Sequence, residues 1–288
     1  MESMNYYIVI PAHNESAYIA LTLQSLARQT VLPAKVVVVD DHSTDDTAQI
    51  ATGFATAHDW ISVVRTESDA AHLPGSKVIR AFHKGYETLD GNYDIIVKLD
   101  ADLILPPDYF EKVLQTFRSD ENVGMAGGFA YIEQNGDWKL ENLTDKDHIR
   151  GAFKAYRKNC FEQIGKLKPA MGWDTADELL ARFYRWKVIT IPELKVKHLK
   201  PTGANYNQAA RFKQGEAFYS LGYGIWITAI ASVKLALMKK RPLLFLDYMR
   251  GFWKARRAGA EMLVSAEQAA FVRRYRWRKI KAKVLGVK

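Results

Sequence analysis

The sequence predicts an α/β fold: a mixed, mainly parallel sheet flanked by helices, continued by a helical C-terminal extension. Three observations carry this. Short apolar runs recur at 6–10 (YYIVI), 36–39 (VVVV), 60–65 and 93–99 (YDIIVKL). Stretches with helical spacing separate them, and the connections are short. Continuous apolar runs suit parallel strands covered on both faces, and strand–helix alternation reads as βαβ units.

In order along the chain, Glu15–Gln29 sets Ile19, Leu23 and Leu26 on one helical face. Thr44–Ala55 is predicted helical after Ser43, an acceptable N-cap, and Ser76–Leu89 after Gly75. Beyond 120 the pattern is less regular. It predicts a strand at Val123–Ile132, a loop at Asn135–Asp147, a helix over Ala176–Trp186, and strands Val188–Ile191 and Leu194–Leu199 on either side of Pro192. From about Gln208 the chain turns helical, aromatic and basic. The expected division is a catalytic domain over 1–205 and a helical region over 206–288, without a Ser/Gly-rich linker.

Composition narrows the class. Of 288 residues 48% are hydrophobic and 25% charged, which is globular usage and excludes wholesale disorder. One cysteine, Cys160, cannot form an internal disulfide; a buried structural thiol in a reducing compartment is expected. The opening MESMNYYIVIPAHNE carries Glu2 and no long apolar run, unlike a secretory leader. The charge is asymmetric: residues 225–288 are net +13 and residues 1–224 net −4. Leu221–Met238 is apolar but interrupted by two glycines and Lys234. A span needs about 20 predominantly apolar residues, so no span is expected. Residues 243–257 and 271–283 mix aromatics with cations, and Trp277, Ile280 and Val284 share a helical face. That chemistry suits the headgroup level of an anionic membrane surface. The expected location is cytoplasmic, peripheral on the cytoplasmic face of the membrane. Nucleic acid is not an expected partner, because no recognised reading module accompanies the tail.

Ligands of open α/β sheets sit beyond the carboxyl ends of the strands. Those ends carry Pro11–Glu15, Asp40–Asp46 and Asp100–Asp102. The carboxylates of Asp100 and Asp102 would repel one another unless a cation sits beside them; hard oxygen ligands suit Mg2+ or Mn2+. Turn chemistry before Pro106 and Pro107 explains the same aspartates without a metal. Asp40 and Asp41 can accept from a base N–H or a ribose hydroxyl, while Ser43 or Asp45 caps the next helix. Pro11, His13 and Glu15 can line a nucleotide slot, with Asn14 as a cap. Asp174, Asp177 and Glu178 open an amphipathic helix, a placement that also favours the helix dipole. Trp173 reads as core or as the floor of a sugar or acceptor site, and His198, taken alone, as a structural residue.

The strings IVIPAHNE, VVVDDHSTD, GSKVIRAFHKG (75–85) and KLDAD, in this order, resemble the inverting family-2 glycosyltransferases of the GT-A fold, over about residues 6–200. The resemblance implies that Asp40 and Asp41 contact base and ribose, with Asp41 preferred for the base. Pro11, His13 and Glu15 would surround the nucleotide, and Lys77 would lie near the diphosphate or base. Asp100 and Asp102 would serve Mg2+ or Mn2+, with Asp102 the direct ligand and Asp100 also near the nucleotide. His198 would ligate the metal or touch the diphosphate. His83 stands where the family often has Asn. The family's general base falls on Asp177, with Asp174 second. The run Gly172-Trp173-Asp174-Thr175-Ala176-Asp177 departs from the usual Gly-aromatic-Asp-Glu-Asp. Arg211, Gly215, Tyr219, Gly222 and Tyr223 have helical spacing and read as packing. The implied activity is metal-dependent inverting transfer from a nucleotide diphosphate sugar to a glycan or lipid-linked acceptor hydroxyl. DADLILPP is also similar to polyprenyl-phosphate sugar synthases. A non-catalytic nucleotide-sugar binding module and a nucleotidyltransferase are the other readings; the latter lacks its Gly-rich, basic N-terminal loop here.

Overall fold

The computed structural model describes residues 4–66, 75–141, 146–200 and 212–286. The N-terminal half is the expected run of βαβ units: β1 (Tyr6–Ala12), α1 (Ile19–Ala27), β2 (Lys35–Asp41), α2 (Thr47–Ala57), β3 (Ile61–Thr66), α3 (Ser76–Tyr86) and β4 (Ile95–Leu99). β1 is fully buried and pairs in parallel with both β2 and β4, which places it mid-sheet. β5 (Leu103–Ile104), α4 (Tyr109–Ser119), β6 (Val123–Gln134), β7 (Asp137–Leu140), β8 (Phe153–Arg157), α5 (Lys158–Gln163), α6 (Trp173–Phe183) and β9 (Lys187–His198) follow. Among the described residues these strands form one sheet in the order β3-β2-β1-β4-β8-β6-β9-β5, with β7 on β6. β8 runs antiparallel to β4 and β6, so the sheet is mixed. This is the predicted α/β class.

The differences from expectation have local causes. α1 starts at Ile19, not Glu15, because Asn14 takes a left-handed φ of 54° and residues 15–18 form a turn. Ile19, Leu23 and Leu26 are buried as their spacing required. α2 starts at Thr47, and Ser43 does not cap it: the Ser43 hydroxyl accepts from Asn14 N at 3.0 Å, while Asp45 takes Thr47 N at 3.0 Å. The expected loop after Asn135 contains β7, joined to β6 by a two-residue Asn135-Gly136 turn with both φ positive; Asn-Gly is the strongest short hairpin signal. Pro192 does not split two strands. β9 is continuous, and its register to β6 jumps from Thr190↔Gly127 to Lys195↔Phe129, so Ile191–Leu194 bulge out. Gly128 permits this, since a Cβ there would lie 2.3 Å from Leu194 O. α6 begins at Trp173, three residues before the expected Ala176.

The C-terminal region is helical: α7 (Lys213–Ser220), α8 (Gly224–Met238), α9 (Leu244–Arg257) and α10 (Ala266–Val284). The expected boundary near 205 and Arg211 lie outside the described residues. α10 opens on a capping box of Ser265 and Gln268. Leu179 of α6 joins Phe218, Ile227, Phe252 and Val272 in one apolar cluster, so these helices pack against the sheet layer through α6. Among the described residues no helix is long and apolar enough to cross a membrane. Cys160 is buried, and burial pushes its thiol pKa up.

α7 and α9 cross at two glycines. A Cβ on Gly215 would lie 1.8 Å from Tyr248 O, and one on Gly251 2.0 Å from Phe212 O. Gly53, inside α2, has open space around it. Gly215→Ala and Gly251→Ala are therefore expected to destabilise by about 1–3 kcal/mol, whereas Gly53→Ala gains about 0.5–1 kcal/mol from helix propensity. Urea unfolding of the three variants checks the opposite signs.

Candidate active site

Two chain turns at the carboxyl edge of the sheet are laced together. Asn14 Oδ1 accepts from Thr44 N at 2.8 Å, Thr47 Oγ1 accepts from Glu15 N at 2.8 Å, and the His13 ring donates to Asp41 O at 2.6 Å. Beside them α3 begins after Gly75, whose φ of 80° brings it against Ala170, where a Cβ would meet the carbonyl at 3.0 Å. The result is a pocket of about 520 Å3 lined by Pro11, His13, Glu15, Asp41, Lys77, Asp100 and Asp102 among others. Asp40, one residue along β2, lies outside it, 3.6 Å from Arg65 Nε. His83 also lies outside; its ring donates to Leu167 O at 2.7 Å. Glu15 gives one oxygen to Lys200 Nζ at 2.6 Å, and its other oxygen is buried without a hydrogen-bond partner among the described residues. Burial pushes its carboxyl pKa up, against the pull of Lys200.

Asp102 is buried, and its Oδ2 lies 3.4 Å from His198 Nε2, because β5 pairs Leu103 with His198. His198 Nδ1 lies 3.5 Å from Glu141 Oε2. Burial opposes charge on His198, but Asp102 and Glu141 outweigh it and raise its pKa to about 9. Among the described residues no three His, Cys, Asp or Glu side chains converge as a ready-made metal site. Asp102 and His198 nevertheless offer an oxygen and an imidazole nitrogen beside the pocket, with Asp100 two residues away. That donor set fits Mn2+, and Mg2+ through its carboxylates, ions that complete their shell with phosphate oxygens and water.

A second, buried cluster stands behind Asp100. Lys98 of β4 and Lys154 of β8 face each other in the antiparallel ladder. The Lys98 ammonium donates to Asp100 and to Gly151 O; Lys154 donates to Asp177 at 2.9 and 3.1 Å and lies 3.2 Å from Glu178. Both ammoniums lie near the Trp173 ring, 5.4 and 5.8 Å from its centre. Trp173 itself is buried and covers Gly151, where a Cβ would meet the ring at 2.8 Å. Asp177 is buried; beyond Lys154 it accepts from Tyr156 Oη at 2.6 Å and Glu178 N at 2.6 Å. Asp174 differs: its side chain is 37% exposed and 3.7 Å from His148 Nε2. Burial works against its charge, but His148 and Lys154 hold its pKa at about 2. Glu178, 3.1 Å from His148 Nδ1, is held at about 2 against burial by Lys154 and His148. Burial opposes charge on His148 too, yet Asp174 and Glu178 raise it to about 9.

The expected residues thus divide into a pocket group, a metal-competent pair at Asp102 and His198, and the Trp173–Glu178 cluster. Lys98, Lys154, His148 and Glu141 were absent from the sequence reading. Lys98 was detectable as a lysine inside the apolar run YDIIVKL; the others had no periodic signal.

A mixed sheet with an acidic, lysine-bearing pocket at its carboxyl edge defines an α/β protein with a candidate ligand site where open sheets of this class hold theirs. The sequence profile described as glycosyl transferase family 2 matches residues 7–169, and the chain belongs to that family; its fold is of the GT-A type. A PGL/p-HBAD biosynthesis glycosyltransferase of Mycobacterium bovis (strain BCG / Pasteur 1173P2) is 24% identical over 217 residues, 72% of this chain and 78% of the relative. EpsH and YdaM of Bacillus subtilis (strain 168) are 27% and 26% identical over 47% and 60% of this chain. The chain spans only 37% and 43% of their lengths. The mannosyltransferase PcManGT of Pyrobaculum calidifontis, solved with GDP-Man and Mn2+, superposes with a TM-score of 0.59 at 16% identity, over 100% of this chain and 82% of that one. Glucosyl-3-phosphoglycerate synthase of Mycobacterium tuberculosis, solved with Mn2+, UDP and glucosyl-3-phosphoglycerate, gives 0.54 at 17% identity over 74% and 78%.

The histidine shifts carry a pH signature. A folded-state pKa of about 9 against 6.5 makes protonated His148 stabilising below pH 6.5, a contribution lost as pH rises through about 9. It amounts to at most on the order of 3 kcal/mol. His198 has the same sign. His148→Gln is expected to flatten, but not abolish, the decline in unfolding free energy between pH 6.5 and 9, as measured by urea titrations at each pH.

Proposed function

We propose that the protein transfers a sugar, with inversion, from a nucleoside diphosphate sugar to the hydroxyl of a lipid-linked or glycan acceptor, at the cytoplasmic face of a membrane. The observation that carries this is the 520 Å3 pocket in which Asp41, Lys77, Asp100 and Asp102 converge. Asp41 accepts from the nucleotide, Lys77 faces the diphosphate, and His13 braces Asp41 through its carbonyl. Mg2+ or Mn2+ would be held by Asp102 and His198, with Asp100 alongside; bound there, the ion neutralises charge on the departing diphosphate. The metal-bound, nucleotide-bound structures of PcManGT and glucosyl-3-phosphoglycerate synthase support the donor class.

The base is assigned to Asp174 rather than Asp177. A general base needs an oxygen within hydrogen-bond reach of the acceptor. Both Asp177 oxygens are buried and occupied by Lys154, Tyr156 and Glu178 N, whereas Asp174 is partly exposed and ionised. Asp174 takes the acceptor proton as the acceptor oxygen bonds to the anomeric carbon. The carbon–diphosphate bond breaks on the opposite face, which inverts configuration. Trp173 lies beside both lysines and forms the floor near the sugar. Membrane proximity is supported by the net charge of +13 on residues 225–288, and by the exposed stripe Trp226, Ile230, Val233 and Leu237 on α8.

Asp174→Asn is expected to lower turnover by about 10²–10⁴-fold while nucleoside diphosphate binding persists. Asp177→Asn leaves the Lys154 charge under-compensated and is expected to cost about 3–5 kcal/mol of stability. Asp102→Asn should remove the Mn2+-dependent part of thermal stabilisation by nucleoside diphosphates. Release of nucleoside diphosphate, circular dichroism and thermal shift check all three. A folded, inactive Asp177→Asn beside a fully active Asp174→Asn would return the base to Asp177.

A further inference from the structure

A second cavity, of about 440 Å3, opens between α6, α8 and α10, and none of the residues lining the sheet-edge pocket lines it. Its size is that of a small-molecule site. Leu179, Phe218 and Ile227 give it apolar walls, while Arg182, Arg276 and Lys279 bring cations into the same space. Two carboxylates also line it, but both are engaged: Glu178 with Lys154 and His148, and Asp147 with Lys279. Arg276 donates from Nη2 to Tyr223 Oη at 2.6 Å, yet its Nε is buried and has no hydrogen-bond partner among the described residues. A buried donor left unmade is costly, and a guanidinium within apolar walls matches a phosphate oxygen.

The cavity lining joins two regions of different character. Ile230 belongs both to its lining and to the exposed α8 stripe that includes Trp226 (74% exposed) and Leu237 (70%). At the other side it is lined by His148, whose ring lies 3.7 Å from Asp174, the proposed base. An apolar chain entering along α8 therefore stays on apolar surface, and its polar end arrives beside the acidic cluster.

We propose that this cavity binds a single-chain lipid phosphate that anchors the acceptor hydroxyl; the inference rests on the transferase reading and specifies its acceptor class. The apolar walls take the chain, and Arg276 and Lys279 take the phosphate.

Isothermal titration of the full chain with n-decyl phosphate, below its micelle concentration, tests this. Saturable binding is expected, with n-decanol and inorganic phosphate each at least roughly tenfold weaker, since either lacks one half of the recognition. Arg276→Met is expected to weaken decyl phosphate binding by roughly tenfold or more, and Ala231→Trp, which fills the cavity from α8, to abolish it. Both variants should keep wild-type binding of nucleoside diphosphate with Mn2+, which reports an intact fold. The proposal is overturned if decyl phosphate fails to bind the wild type, if decanol or phosphate alone binds as well, or if Arg276→Met binds unchanged. Failure here with donor binding intact leaves the transferase reading standing; loss of donor binding with decyl phosphate binding intact removes that reading and spares the cavity.

Discussion

Two lysines that should repel each other organise the centre of this molecule. Lys98 and Lys154 are cross-strand partners on β4 and β8, both nearly inaccessible to water. Like charges directly opposite in a ladder are unfavourable, and a buried charge without a counter-ion is worse. The chain meets this by supplying a carboxylate to each: Asp100 to Lys98, and Asp177 with Glu178 to Lys154. The Trp173 ring lies near both ammoniums, where its π face favours cations. Removing either lysine would leave acids uncompensated, so neither the turn after β4 nor the start of α6 is free to move independently of the sheet.

That constraint explains how residues far apart in sequence become one site. Asp100 is fixed from behind by Lys98, while Asp102, two residues on, is fixed by the pairing of β5 with β9 that brings His198 alongside. On the far side Lys154 also accepts the burden of Asp174, whose main-chain oxygen it binds and whose carboxylate it helps keep ionised. The sheet-edge pocket and the acidic cluster at α6 are therefore two ends of one electrostatic chain, running from Asp100 through Lys98, Trp173 and Lys154 to Glu178, His148 and Asp174.

The legible parts of the sequence were those where one physical rule dominates. β1, β2 and β4 are buried on both faces, so their apolar runs stood out, and the polar residues that end them lie at one sheet edge. Asn135-Gly136 is a hairpin signal in its own right, but the four-residue β7 it leads into is largely exposed and carries no apolar run. β8 was invisible because two of its five residues are cations, Lys154 and Arg157, and their burial becomes tolerable only when Asp177 and the carbonyls of Val123 and Phe117 are in place. Pro192 read as a break because a lone strand cannot show that its partner carries Gly128, the residue that makes room for the bulge. The resemblance favours Asp177 as the base with Asp174 second, and the proposal of Asp174 rests on contacts that spacing does not show. Spacing on a helix shows which acids are neighbours, not which one a lysine from another strand has already taken.

The helical C-terminal region extends the same logic to the tail. Its net positive charge would be a poor neighbour for a folded enzyme if it were spread evenly, yet α10 places Arg276 and Lys279 inward, toward Tyr223 and Asp147, while Trp277 is exposed. A terminal helix serving only to adhere to an anionic surface would gain by turning its cations outward, because each adds attraction only near that surface. Two inward cations forgo that gain, and the apolar walls around them make their desolvation costly. Asp147 already answers Lys279, whereas the buried Nε of Arg276 has no hydrogen-bond partner among the described residues, and that is the donor the proposed lipid phosphate would meet. That ties the basic tail to the chemistry at α6 rather than to adhesion alone.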